Sequence, residues 1–202
     1  MELILASASP RRSEILTQLN IRHLIHVSQV DEGAICHKLG NCSPMEMAHQ
    51  LSRIKSESIA RKINQGLVLG ADTIVVFKNR VFGKPKDEID LRNTIRTLSG
   101  KTHEVITAVS ITDAAHQITR SLAAVTDVTF RTITEDEITW YEKHAHYRDK
   151  AGGYAIQEHA ALFISGIRGC YYNVVGLPVQ ETLTLISGMG YNWTDFNNQA
   201  NQ

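Results

Sequence analysis

Leu67-Val68-Leu69-Gly70-Ala71-Asp72-Thr73-Ile74-Val75-Val76-Phe77 is the segment on which the fold turns. Its aliphatic and β-branched residues read as a strand long enough to sit in the middle of a sheet. Lys78-Asn79-Arg80 turns it back into Val81-Phe82, a strand pair with a tight connection. One carboxylate lies inside this apolar run. A charge there is costly unless it is paired, hydrogen-bonded or metal-bound, which marks Asp72 as a functional candidate. A strand-end aspartate exposed at a turn is the plainer reading of the same residue.

Toward the N-terminus, Glu2-Leu3-Ile4-Leu5-Ala6 reads as a short buried strand, and Ser9-Pro10 then opens an amphipathic helix with Ile15, Leu16 and Leu19 on one face. His23 to Val30 reads as a second strand and Asp31 to Cys42 as a polar loop. Ser43-Pro44 starts a long helix that reaches about Asn64 and ends at Gly66. Toward the C-terminus, a helix spans about Asp87 to Leu98, and His103–Thr112 and Ser121–Arg131 read as long strands. Thr134 opens a helix through Tyr141 whose first turn carries Glu135, Asp136 and Glu137, where negative charge suits the dipole. A glycine-punctuated stretch from Gly152 to Gly176 precedes a last helix from Pro178 to about Ile186. From Tyr191 on, the asparagine- and glutamine-rich residues are too polar to order themselves, and a frayed tail over 191–202 is expected. Interleaved helices and strands with long central strands predict an α/β protein built on a mixed sheet with flanking helices.

With 202 residues and 43% hydrophobic content, one domain of two lobes around a cleft accommodates the chain. Lysine plus arginine equals aspartate plus glutamate at 21 each, which disfavours a nucleic-acid polymer and favours a small ligand. No run approaches membrane-spanning length, and the opening residues lack the pattern of a signal peptide. Three cysteines, Cys36, Cys42 and Cys170, suit reduced thiols in a cytoplasmic setting.

Four further segments carry possible chemistry. In Ser7-Ala8-Ser9-Pro10-Arg11-Arg12 a helix N-terminus follows directly on a strand, with two guanidinium forks beside its free N–H groups. That outlines an anion cradle, although an ordinary capped helix with two solvated arginines fits as well. Lys55 on the long helix and Lys84 in Phe82-Gly83-Lys84-Pro85 compete for a phosphate role, against the common fate of lysines as solvated surface charges. In Asp149-Lys150-Ala151-Gly152-Gly153-Tyr154-Ala155-Ile156-Gln157 the paired glycines permit close backbone approach to a ligand. Gln157 offers one amide donor and one acceptor group to a base edge. A turn followed by a surface glutamine is equally simple.

Taken in order, these segments, with Gly70-Ala71-Asp72-Thr73, Leu98-Ser99-Gly100-Lys101-Thr102-His103 and Asn173-Val174-Val175-Gly176-Leu177-Pro178, resemble the Maf family of nucleotide pyrophosphatases. The resemblance implies a Maf/inosine-triphosphatase-like α/β fold, a domain over 1–190 with a central cleft, and cleavage of a nucleoside triphosphate between its α and β phosphates. It also implies a divalent cation, Mg²⁺ or Mn²⁺, and a homodimer. Arg11, Thr73 and Gln157 resemble the branch acting on dTTP and UTP, including modified pyrimidine nucleotides. The 7-methyl-GTP branch typically has a bulky aromatic in place of the first arginine.

By the same resemblance, Ser7, the helix N-terminus, Arg11, Arg12, Lys55 and Lys84 surround the triphosphate, with Thr73 and Gln157 completing the substrate set. Asp72 orients or deprotonates water, and Glu32 joins Asp72 as a metal carboxylate. An unperturbed aspartate, with a pKa of roughly 3.9, is only a weak base at neutral pH. Two positions depart from the family pattern. Ile54 stands where an acid usually precedes the lysine, and Glu158 replaces the glycine that commonly follows the glutamine, adding negative charge near the expected base pocket. A non-catalytic nucleotide-binding regulator of septum formation is the alternative, and it has no need of Asp72.

Overall fold

The computed structural model describes residues 1–40 and 42–197. The strand expected over Leu67–Phe77 is there with those bounds (β3), and it organises the rest. Its first residues, Leu67–Leu69, pair in parallel with β1 (Leu3–Leu5), and Val75–Phe77 pair antiparallel with β4 (Arg80–Phe82). Its other edge pairs antiparallel with β5 (Thr102–Asp113) from Leu67 through Val76. β6 (Ile118–Phe130) and β7 (Ile164–Arg168) continue the sheet on that side, and β2 (Leu24–Ile25) flanks β1. Between β1 and β4, the stretch from Gly70 to Ile74 carries no ladder on that edge. The sheet is split open there, and the site forms at the split.

Side chains alternate across β3, so neighbouring residues serve opposite faces. One face packs on α1 (Pro10–Gln18) and α7 (Val179–Gly188), with Leu3, Leu5, Leu67, Leu69, Val109 and Ile111 in one buried cluster. A neighbouring cluster on α4 (Glu88–Leu98) and α5 (Glu135–His144) holds Val75, Leu91, Val128, Phe130 and Tyr141. α5 starts as its sequence predicts, with Thr134 and Glu137 forming a reciprocal capping box.

The other face is covered by α3 (Pro44–Ala60), whose contact with the sheet carries two rows of hydroxyls between apolar residues. Ser52 Oγ lies 2.8 Å from Ser110 Oγ, which lies 2.7 Å from Ser121 Oγ. One turn along, Ser56 Oγ, Thr112 Oγ1 and Thr119 Oγ1 repeat the row at 2.9 and 3.0 Å. Small hydroxyl side chains satisfy one another and let helix and sheet approach closely. The approach is closest at Gly70, where a Cβ would collide with the Ser52 carbonyl oxygen and stand 2.8 Å from the Ser56 nitrogen.

Three expectations need correction. The polar segment from Asp31 is not a loop: Glu32–Leu39 is a helix, α2, with Asp31 accepting from the Ala34 N–H as its cap. None of its residues is buried, so no apolar period announced it. The strand expected over 23–30 shrinks to Leu24–Ile25, both exposed, and the glycine-rich stretch hides β7 and a short helix, α6 (Tyr171–Val175).

The first residues of the expected frayed tail are ordered. Trp193–Phe196 forms a 3₁₀ turn, Phe196 is buried against Leu3, Ile15 and Ile186, and the Arg22 N–H donates to the Phe196 carbonyl. One aromatic side chain with a site to fill outweighs a polar neighbourhood. Residues 198–202 of the expected tail lie outside the described residues.

Candidate active site

Ser7, Arg11, Arg12, Glu32, Lys55, Asp72, Thr73, Lys84 and Gln157 all line one cleft of about 390 Å³ at the open edge of β3. Alternation on the strand explains why Asp72 and Thr73 collect different partners. Asp72 points toward α3, where the buried Lys55 donates to Asp72 Oδ1 at 2.6 Å. Thr73 points to the other face, where its Oγ1 lies 3.1 Å from an Arg12 Nη and 3.0 Å from Thr107 Oγ1.

Lys55 is no surface lysine. Besides Asp72 it meets Glu32 Oε1 at 2.8 Å, so its ammonium lies between two carboxylates from different elements. Burial pushes the Asp72 carboxyl up from its ordinary value against the pull of Lys55 and Arg12. Glu32 is also penalised by burial, but Lys55 and Lys84 win there and hold it below its ordinary value. Two carboxylates sharing one lysine are thus driven apart in basicity by their depth. Asp72 becomes a stronger base than an unperturbed aspartate.

The two arginines have different lives. Arg12 is buried and donates from Nε to the Gly176 carbonyl at 2.8 Å, to Ser7 Oγ at 2.9 Å and to Thr73 Oγ1. Three of its five N–H groups therefore pin the β1–α1 loop to β3 and to the loop after α6. Ser7 Oγ also accepts from the Ser9 N–H at 3.1 Å, while Ser9, the expected cap, makes no side-chain cap bond. The first turn of α1 keeps donors free at the cleft. Arg11 reaches across to Asp149 Oδ2 at 3.2 Å. Lys84 is 58% exposed and 4.0 Å from Glu32 Oε2, the loosest of the four cations.

The paired glycines are buried against the protein itself. Gly152 and Gly153 both have positive φ, and a Cβ on Gly153 would run into Leu91 and Pro85. Their freedom lets the loop pack onto α4 and the Gly83 loop, where the Gly152 N–H donates to the Gly83 carbonyl at 2.9 Å. Gln157 sits beyond them on an exposed turn at the cleft. Glu158 does not stand as a free charge near the base pocket, because it pairs with Lys150 at 3.2 Å.

Asp149 and Lys150 also line the cleft, yet the sequence reading passed over them. They directly precede the glycines, and a lysine beside an aspartate carries no signal that it will be buried.

The carboxylate pair fits a divalent cation by the chemistry of its donors. Glu32 and Asp72 already converge on one positive group, and Mg²⁺ is commonly held by one or two carboxylates plus substrate phosphates. Among the described residues no cluster of three or more His, Cys, Asp or Glu forms a self-sufficient cage. The three cysteines are free thiols, and no described helix is long and apolar enough to cross a membrane.

Residues 2–189 match the family described as Maf-like protein. A dTTP/UTP pyrophosphatase of Carboxydothermus hydrogenoformans is 41% identical over 191 residues, covering 95% of this chain and 100% of its own. Another, from Alkaliphilus metalliredigens, is 45% identical over 88% of this chain and 90% of its own, and one from Clostridioides difficile is 41% identical over 90% and 91%. A solved nucleoside-triphosphatase / dITP/XTP pyrophosphatase from Mycobacterium abscessus overlaps at a TM-score of 0.42 with 8% identity over 94% of each chain, too loosely to inform on the fold. With a match running almost end to end and relatives above 40% identity that are covered nearly whole, the chain belongs to the Maf-like protein family.

Proposed function

We propose that this chain is a nucleoside triphosphate pyrophosphatase that hydrolyses dTTP and UTP to the monophosphate and pyrophosphate. The observation that carries the reading is a buried carboxylate, Asp72, at an unpaired strand edge, with Lys55, Arg11, Arg12 and Lys84 lining the same cleft. The curated relatives' names supply the substrates. One buried acid among four cations suits attack by water on a polyanion. A non-catalytic regulator would gain nothing from keeping Asp72 buried, and that alternative is not favoured.

Arg11, Lys84 and the first turn of α1 bind and orient the phosphates, with Arg12 holding Ser7 and Thr73 in register beside them. Asp72 takes the proton of the attacking water, and its raised basicity serves that step. Lys55 stabilises the ionised form of Asp72 by direct contact. Glu32 and Asp72 are the residues that would hold Mg²⁺ or Mn²⁺, and the ion supplies charge neutralisation on the phosphates when bound. Gln157, with no hydrogen-bond partner of its own among the described residues, presents its amide to the pyrimidine edge. The balanced charge and free thiols support a small-molecule partner in a reducing cytoplasm, and the single-domain, homodimeric organisation follows the family resemblance.

Chromatography of the products tests the reading. Monophosphate and pyrophosphate from dTTP and UTP are expected, and chelation with EDTA should stop turnover. Diphosphate and orthophosphate as products would overturn the cleavage site.

A further inference from the structure

Arg11, Asp149, Lys150 and Glu158 form a chain of alternating charge along the rim of the cleft. Arg11 meets Asp149 Oδ2 at 3.2 Å, Asp149 Oδ1 meets Lys150 Nζ at 2.8 Å, and Lys150 Nζ meets Glu158 Oε1 at 3.2 Å. The sum of the four charges is zero. Lys150 is buried to 5% exposure, and its ammonium also donates to the His146 carbonyl. Two of its three N–H donors thus go to Asp149 and the His146 carbonyl, and the ammonium forms an ion pair with Glu158. Buried and paired with two carboxylates, Lys150 acts at the cleft chiefly through its neighbours.

One of those neighbours, Asp149, is the carboxylate that Arg11 and Lys150 share. The other, Glu158, directly follows Gln157 in the exposed turn. A carboxylate held between two cations divides its pull between them, and a second carboxylate on one cation weakens that cation's hold on the first.

We infer that Lys150 and Glu158 are positioning residues that set how much of the Arg11 charge is available to a polyphosphate. This rests on the reading of Arg11 as a phosphate-binding group. With Glu158 present, Lys150 is satisfied and Asp149 stays on Arg11. Neutralising Glu158 leaves Lys150 to draw Asp149 toward itself and releases Arg11. Removing the Lys150 charge does the reverse, giving both Asp149 oxygens to Arg11 and leaving Glu158 as an uncompensated negative charge on the rim.

The two substitutions should therefore act in opposite directions, which a merely structural role would not produce. The probe is inorganic tripolyphosphate, titrated calorimetrically without added metal at low and high salt. Its binding depends neither on the base nor on hydrolysis. Glu158→Gln keeps the length and an oxygen for Lys150, and should bind tripolyphosphate about two- to fivefold more tightly at low salt, with the gain shrinking as salt screens it. Lys150→Met keeps much of the buried stem and should weaken binding by a similar or larger factor. Combining the two returns the charge sum to zero and should restore affinity toward the parent value.

Glu158→Gln carries the test alone if Lys150→Met does not fold. Unchanged or weaker binding in Glu158→Gln overturns the inference, as does a parent protein that does not bind tripolyphosphate. A protein that binds it with these opposite shifts but does not hydrolyse dTTP or UTP overturns the proposed function and leaves this inference standing.

Discussion

Replacing Asp72 by asparagine keeps the shape of the side chain and an oxygen for Lys55, but removes the anion that takes a proton from water. Turnover of dTTP should fall by about 10²–10⁴-fold while the protein still folds, since the amide oxygen and Glu32 remain on the Lys55 ammonium. Single-turnover kinetics on the folded variant decide it, and near-normal rates would remove Asp72 as the base. Gln157→Glu tests the base edge: one pyrimidine carbonyl loses its donor, at about 1–3 kcal/mol, or roughly a tenfold to hundredfold loss in kcat/KM for dTTP and UTP. Purine triphosphates should suffer less, and an equal loss on all triphosphates would move Gln157 away from the base. At this scale the sequence was informative where a residue contradicts its surroundings, as Asp72 does within an apolar strand. It was silent where the surroundings come from elsewhere. Lys55 looks like any helix lysine until α3 lies on β3, and nothing in Arg11-Arg12 foretells that one guanidinium will be buried as a brace while the other stays at the rim.

Elements make their own demands on single positions. Gly70→Ala drives a methyl into the backbone of α3 between Ser52 and Ser56, and α3 cannot yield without breaking both hydroxyl rows. A loss of about 1–3 kcal/mol in chemical denaturation is expected, together with impaired activity because Lys55 rides on the displaced helix. An unchanged denaturation midpoint would show that the helix gives way freely. β5 offers a different handle in His103, buried with Nε2 2.7 Å from the Tyr154 hydroxyl and its pKa pushed down to about 4 by burial.

The folded state resists protonating His103 while the unfolded chain protonates it near 6.5, so the unfolded state binds more protons in that window. Stability is full above about pH 6.5 and falls as pH drops toward 4, by on the order of 2 kcal/mol between pH 6.5 and 5. Denaturation curves of the parent and of His103→Gln across that window should diverge in slope, with the variant flatter. Parallel curves would assign the acid sensitivity to other groups. Strongly patterned elements such as β3, α4 and α5 were legible, α5 with its Thr134 cap as well. α2 was not, because a helix that buries nothing has no period, although Asp31 before it and Gly40 after it were start and stop signals of the ordinary kind. β7 escaped for a related reason: Gly166 and Gly169 interrupt the alternation that would have marked it.

For the whole molecule, the largest misreading was of the C-terminal residues, and it concerns stability more than catalysis. Phe196 fills a position in the cluster formed by β1, α1 and α7, so Phe196→Ala should cost about 3–5 kcal/mol. Thermal unfolding of the variant measures it, and a loss below about 1 kcal/mol would mean the cluster closes without the ring. The same contact has a consequence for biosynthesis. Leu3, Leu5 and Ile15 leave the ribosome early, but the ring that completes their packing is made almost two hundred residues later. Until then the first strand and helix of the nascent chain hold an unfinished apolar surface, and transient apolar surface of this kind is what chaperones bind and what aggregates. Translation speed across the final helix should therefore affect the yield of soluble protein more than speed over α4 and α5, whose partners lie close by in sequence.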